Sequence, residues 1–322
     1  LSHIRGKQLN YLELGNQNPS QLVLGTMVYH TGNAESAYSV FDSFIEAGGN
    51  AFDTAFIYGG GDAERVFGQW MKHRHNRDEM YVIGKGGHPS GLVPRPRIAP
   101  EEIRADLEIS LIRTQTSYFD LYLLHRDDEQ IPVSTIVDYL DEEIRRGRIR
   151  AAGVSNWSAQ RVQSANEYAI ENGKNPLVAV SNNISLAQAK KPHWGGCTLT
   201  DEAAWQWHKE TQFPLIPWSS QARGFFSGNF YQDKPDNPHV VDIYYSDENF
   251  ERLERAKQLA SEKNCTSIQI SLAYVLHQPF PTFPIFGPAN LDELNSSLGA
   301  LEVNLSLNEI QWLNLETESL VS

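Results

Sequence analysis

Short apolar runs rich in Val, Ile and Leu alternate along the chain with amphipathic stretches, and turn residues lie between them. Eight runs read as strands: residues 22–25, 51–54, 81–84, 121–125, 151–155, 178–182, 215–219 and 283–287. Their near-continuous apolarity marks strands buried on both faces, as in a parallel sheet. The segments between them carry helical stripes. Val40, Phe41, Phe44 and Ile45 form one, with Asn33 placed to cap its start and Gly48 to end it. Asp62 is placed to cap a helix carrying Val66, Phe67, Trp70 and Met71. Pro100 followed by Glu101 and Glu102 opens another, with Ile103, Leu107 and Leu111 four apart. Ile136, Val137, Leu140 and Ile144 make a fourth stripe, Ser158 can cap a fifth helix, and Ile268, Leu272 and Val275 precede the last strand.

Eight β-then-α units fit either a closed (β/α)8 barrel (a TIM barrel) or a doubly wound open sheet. The open dinucleotide-binding sheet carries G-x-G-x-x-G after its first strand, whereas here Gly25, Thr26 and Met27 follow. The expected architecture is therefore one α/β barrel domain over residues 1–322. A barrel takes about 250 residues, leaving about 70 for decoration. Two long connections, 187–212 after strand six and 222–266 after strand seven, have the length of functional loops. Residues 4–14 read as a hairpin placed to plug the lower end.

With 40% hydrophobic and 11% aromatic residues the chain has the makings of a packed core rather than disorder. Its 27 Lys and Arg against 40 Asp and Glu, a net charge of −13, argue against phosphate-backbone binding. No apolar window is long enough to span a membrane. No basic and apolar leader opens the chain, and its 2 cysteines, Cys197 and Cys265, are too few for a disulfide framework or a thiolate zinc site. The expectation is a cytoplasmic protein with a small-molecule ligand and no metal.

In a barrel the active site lies at the C-terminal ends of the strands. Asp53 ends strand two and Tyr58 follows five positions later; Lys85 ends strand three; His125 ends strand four. Singly, each has an ordinary structural reading: a turn cap, a packed ring, a structural ion pair, a core histidine. Together they converge on one rim, where a buried Lys and Asp beside a Tyr and a His cost desolvation unless function keeps them. The set suits carbonyl chemistry. Lys85 would stabilise a Tyr58 phenolate and lower its pKa, Asp53 would hold Lys85 charged, and His125 would hydrogen-bond the substrate oxygen or relay the proton. A proton donor on a carbonyl oxygen is half of a reduction, and the hydride must come from a cofactor.

At these residues the chain resembles the aldo-keto reductase superfamily over nearly its whole length. GNAFDTAFIY at 49–58 resembles the family's G-x-x-x-D-T-A-x-x-Y element, with Glu64 and Gly68 following in their usual places. IGK at 83–85 and DLYLLH at 120–125 resemble the segments holding the family's Lys and His. The resemblance implies a barrel binding an extended nicotinamide cofactor across its strand tips, with Tyr58 as general acid and Lys85, Asp53 and His125 completing a tetrad. It implies that Ser155 and Asn156, in GVSNW, hold the carboxamide together with Asn183, where Gln is usual. Trp218 would stack on the nicotinamide in place of the commoner Tyr, and Ser219, Gln221 and Arg223 would belong to the pyrophosphate loop. At the adenosine end GPANLDELNSS resembles the segment opening the last barrel helix, contributing Gly287, Asn290, Glu293 and Ser297. The family default is NADP(H). The Lys or Arg that meets a 2′-phosphate is absent, which leaves NAD(H) open.

Substrate contacts are expected from Met27, Tyr29, His88, Arg126, Trp157 and Trp194 above the rim, although any single aromatic among them also fits core or lid packing. Arg126 stands apart as a rim cation suited to a carboxylate or phosphate. The expected activity is NAD(P)(H)-dependent interconversion of an aldehyde, ketone or sugar carbonyl and an alcohol, by a monomer. Two alternatives stand beside it: a cofactor-binding barrel that works by contacting a partner, and an isomerase or lyase that recycles bound nicotinamide.

Overall fold

A computed structural model describes residues 9–90 and 95–320. Seven parallel strands form one sheet in the order β6-β5-β4-β3-β2-β1-β7. They are β1 (Val23–Gly25), β2 (Ala51–Asp53), β3 (Tyr81–Gly86), β4 (Phe119–Leu124), β5 (Ile149–Ser155), β6 (Val180–Ser181) and β7 (Ile285–Phe286). Residues 215–218 close the ring: Ile216 N donates to the Val180 carbonyl at 2.9 Å, and Phe283 N donates to the Leu215 carbonyl at 2.8 Å. This eighth segment makes only isolated bridges. The reason is local, since Pro214 and Pro217 have no N–H to offer a ladder. The architecture is the expected (β/α)8 barrel.

Each strand is followed by a helix that covers it. Those relevant to the site are α1 (Ala34–Glu46), α2 (Asp62–Arg74), α3 (Pro100–Thr114), α4 (Val133–Arg145) and α5 (Ala159–Glu171). Pro100 opens α3, and Ser158 caps α5 by accepting from Arg161 N at 3.3 Å. Two capping expectations change. Asn33 precedes α1 but its side chain accepts from His30 N, and Asp62 is already inside α2, its carboxylate accepting from Thr31.

The hairpin lies later than expected, pairing Tyr11 with Ser20 and Leu14 with Gln17. The predicted part at 4–8 falls outside the described residues. The pairing follows the turn at Gly15, whose φ of +64° suits glycine. Leu14 joins Val23, Ala51, Tyr81, Ile83, Leu121, Ala179, Ile216 and Phe283 in the barrel interior, so the hairpin does plug the lower end. The long connections are partly helical: α6 (Glu202–Thr211) lies in the first, α7 (Pro238–Tyr244) and α8 (Asp247–Glu262) in the second. Three helices complete the chain, α9 (Ser267–Leu276), α10 (Leu291–Gly299) and α11 (Leu307–Leu313). Among the described residues no helix is long and apolar enough to cross a membrane.

Candidate active site

Asp53, Lys85 and His125 stand at the upper tips of three adjacent strands, placed there by a parallel register in which Asp53 pairs with Ile83 and Lys85 with Leu123. Strand alternation turns Lys85 inward, and its ammonium forms a buried ion pair with Asp53. The same ammonium donates to the Thr54 carbonyl at 3.1 Å and to Tyr58 Oη at 3.2 Å. Tyr58 comes from the turn after β2, held by Tyr58 N donating to the Ala55 carbonyl and Phe56 N to the Lys85 carbonyl. Its ring lies edge-on to His125 with centroids 5.9 Å apart. All four residues of the predicted quartet thus meet.

Burial works to depress the Lys85 ammonium, but Asp53 and Tyr58 outweigh it and hold its pKa above the ordinary lysine value. Tyr58 departs from the simple expectation. Loss of bulk water raises its pKa above that of a free phenol, and Lys85 only limits the rise, with Asp53 adding to it. The phenol stays protonated through neutrality. Burial pushes His125 well below the usual imidazole range, and Lys85, His88 and Arg126 push the same way, so this ring is neutral. Its Nδ1 is buried with no hydrogen-bond partner.

Arg113, which the sequence pattern did not single out, locks the tyrosine turn. Its Nη1 donates to the Phe56 carbonyl and to buried Glu64, both at 3.0 Å. A Cβ at Gly68 would stand 2.6 Å from the Arg113 carbonyl oxygen, so Gly68 is what lets α2 approach α3 closely.

The expected cofactor positions sit around the same rim. Ser155 is buried at the tip of β5 and donates to the Ser181 carbonyl at 2.7 Å. Asn156, at φ +63°, donates to the His125 carbonyl (3.1 Å) and to Ser155 Oγ (3.0 Å) and accepts from Thr198 N (3.2 Å). Asn183 donates to the Trp218 carbonyl at 2.8 Å. Trp218 is half-buried with Nε1 unpartnered, and His193 meets its ring edge-on at 5.0 Å. Ser181 was not anticipated. It pairs in register with Ser155, and its buried Oγ has no partner, leaving a hydroxyl for a ligand beside the carboxamide candidates. A serine inside the apolar run 178–182 was the signal available.

Further round, Ser219 and Arg223 adopt positive φ, and Gln221 donates to Ser297 Oγ at 3.3 Å. Gly287 and Asn290 are exposed beside the start of α10. Asn290 caps that helix by accepting from Glu293 N, while the Glu293 carboxylate accepts from Ala289 N at 2.8 Å and from Asn290 Nδ2 at 3.2 Å.

The expected substrate wall divides. Met27 and Trp194 are exposed, and His88 is half-buried with its ring 4.7 Å from that of His125. Tyr29 and Trp157 do not line an open wall. Tyr29 is packed against Phe41 with its hydroxyl donating to the Pro288 carbonyl. Trp157 is fully buried, its Nε1 donating to the Arg126 carbonyl at 3.2 Å. Both aromatics spend their polar atoms on backbone, which makes them supports for the rim. Arg126 is 4% exposed, deeper than a rim cation was expected to be. His193 accepts or donates at 2.9 Å with Tyr244 Oη and belongs to an aromatic cluster with Trp194, Trp218 and His239.

Comparisons with known proteins give the family and the fold. The model of the aldo/keto reductase family matches residues 21–314. The norsolorinic acid reductase A of Aspergillus parasiticus is 30% identical over 312 residues, covering 92% of this chain and 77% of that protein. An NADP(+) aryl-alcohol dehydrogenase of Phanerodontia chrysosporium is 26% identical over 328 residues, covering 97% and 82%. The crystal structure of a thermostable aldo-keto reductase shares the fold, with a TM-score of 0.73 at 23% identity over 95% of this chain and 98% of that one. The chain belongs to the aldo/keto reductase family and is an oxidoreductase.

Proposed function

We propose that the protein interconverts a small-molecule carbonyl and its alcohol with a nicotinamide cofactor, Tyr58 serving as general acid and base. The observation that carries this is the direction of one hydrogen bond. Lys85 donates to Tyr58 Oη, so the phenol oxygen is already an acceptor, and its own proton, which also faces the Asp53 carboxylate, is the one it can pass to a substrate oxygen. The buried Asp53 carboxylate keeps Lys85 charged and aimed. In the reverse direction the same ammonium stabilises the phenolate that takes the proton from an alcohol. Neutral His125 stands edge-on beside Tyr58 and hydrogen-bonds the substrate oxygen, orienting the carbonyl rather than protonating it.

The residues present fit a nicotinamide dinucleotide: a half-buried Trp218 ring with its Nε1 unpartnered, and an unpartnered Ser181 hydroxyl beside Ser155. When bound, the cofactor supplies or accepts the hydride. Ser155, Asn156, Asn183 and Ser181 would hold the carboxamide end, and Trp218 would stack on the ring. Ser219, Gln221 and Arg223 would meet the pyrophosphate, and Gly287, Asn290, Glu293 and Ser297 the adenosine. The acidic first turn of α10, with Asp292 and Glu293 and no Lys or Arg from 287 to 297, favours a ribose diol over a 2′-phosphate, hence NAD(H) over the family default.

Titrating intrinsic tryptophan fluorescence with NADH and then NADPH tests the cofactor assignment. Saturable quenching is expected, tighter for NADH. Loss of cofactor absorbance over a panel of aldehydes, ketones and sugars tests the reaction. Cofactor binding without turnover would favour a partner-binding role, and substrate conversion without net cofactor oxidation an isomerase or lyase.

A further inference from the structure

Arg126 follows His125 at the tip of β4 and is 96% buried by its 4% exposure. A guanidinium taken out of water is costly unless it is paired. Nevertheless Arg126 forms no ion pair with any described residue. Its Nη1 donates to the His125 carbonyl at 2.8 Å, and its buried Nε has no hydrogen-bond partner. The acid next in sequence is engaged elsewhere, Asp127 accepting from Arg161 at 2.8 Å. The hydrogen bond to the His125 carbonyl sets Arg126 beside the reacting residues, and its positive charge works to lower the pKa of Tyr58, His125 and His88 alike. Above it lies the loop after β6. A Cβ on Gly196 would rest 3.4 Å from Arg126 Cδ, and Cys197 feels the same charge.

We infer that Arg126 is a built subsite for a carboxylate carried by the carbonyl substrate. This deepens the oxidoreductase reading and rests on it. A guanidinium held by one nitrogen to its own strand presents its remaining N–H groups as a planar fork, the geometry that grips a carboxylate through two parallel hydrogen bonds. The His125 carbonyl holds that fork, so the residue that orients the reacting carbonyl also fixes where the substrate's anionic end sits. A substrate carboxylate supplies the missing counter-charge and stands in for the acid that the protein does not provide. The preferred substrates are aldehydic or ketonic acids, and neutral carbonyls of the same shape are poorer.

The test compares 4-carboxybenzaldehyde with its methyl ester, each with NADH and with NADPH. Wild type should show higher kcat/KM for the acid, carried mainly by KM. Arg126→Met should reduce the acid-to-ester ratio at least about tenfold, the worth of a hydrogen bond to a charged group. Arg126→Lys, which keeps charge without the fork, should fall between. A ratio unchanged in Arg126→Met overturns the inference. Circular dichroism checks the fold, and Arg126→Gln replaces the methionine variant if that one does not fold. If wild type turns over neither aldehyde, these two carbonyls are not its substrates, and calorimetric titration with benzoate decides this subsite. Saturable benzoate binding weakened tenfold by the substitution supports it, whereas equal or absent binding overturns it.

Discussion

Lys85 donates to Tyr58 Oη at 3.2 Å while its ammonium is ion-paired to Asp53, so one buried cation is shared between a structural partner and the proposed proton donor. This arrangement gives the tyrosine two opposing influences. Burial raises its pKa and the ammonium restrains the rise. Replacing Lys85 by Met removes the restraint. The alcohol-oxidation direction requires the phenolate and therefore rises with pH, so its rising limb should move upward by at least about one unit. Carbonyl reduction requires the protonated phenol, which a higher pKa preserves, so its loss in the variant should not be rescued by lowering the pH. Initial rates against pH in both directions check the sign.

Removing the carboxylate should be felt in stability first. Asp53→Asn leaves Lys85 charged in a buried site without its counter-ion, and breaking such a pair costs about 3–5 kcal/mol. Urea denaturation should show that loss, with the double variant Asp53→Asn/Lys85→Met less destabilised than the sum of the single ones.

Arg113 is expected to act on catalysis only through the turn that it holds. Its contacts to the Phe56 carbonyl, two residues before Tyr58, and to Glu64 in α2, six residues after it, pin the turn from both sides. Arg113→Met should lower kcat while leaving cofactor affinity and substrate KM nearly unchanged. A defect confined to KM would show that the loop is held in place by something else.

The fold was largely readable because burial on both faces makes a parallel strand a plain apolar run, and because Asp53, Lys85 and His125 each end such a run. What the pattern hid has identifiable causes. Residues 215–218 look like any other strand, but their prolines reduce the ladder to bridges. Helix α3 packs on the predicted stripe of Ile103, Leu107 and Leu111, but it also buries the polar Asp106, Ser110 and Thr114 while exposing Ile109 and Ile112, so an apolar stripe alone does not draw attention to Arg113. Its partner Glu64 lies 49 residues away in the chain. Tyr29 and Trp157 were placed on the pocket wall because they follow strand tips, yet a position just past a strand does not say whether a ring turns up to the chamber or down to the core. Arg126 shows the converse, a charged side chain beside the rim that is buried.

Acid sensitivity should have a recognisable source. Burial, with help from His239 and Arg223, lowers the pKa of His193 from the ordinary 6.5 to about 4. A base with a depressed folded-state pKa contributes its full stability above 6.5, where both states are neutral. That contribution is lost as the pH falls toward 4, because the unfolded chain then binds a proton that the folded one refuses. Unfolding free energy should therefore decline between pH 6.5 and 4, and His193→Gln should decline less steeply over the same window. Parallel slopes would locate the sensitivity in other groups.

The central claim is that Tyr58 exchanges the proton. The most direct measurement is steady-state turnover of Tyr58→Phe alongside its cofactor affinity by tryptophan fluorescence. The substitution removes only the hydroxyl, so kcat should fall by about 10²–10⁴, the range of a positioned acid or base, with cofactor binding unchanged. Full turnover in Tyr58→Phe would contradict the account and leave the Lys85–Asp53 pair as a structural feature of the barrel.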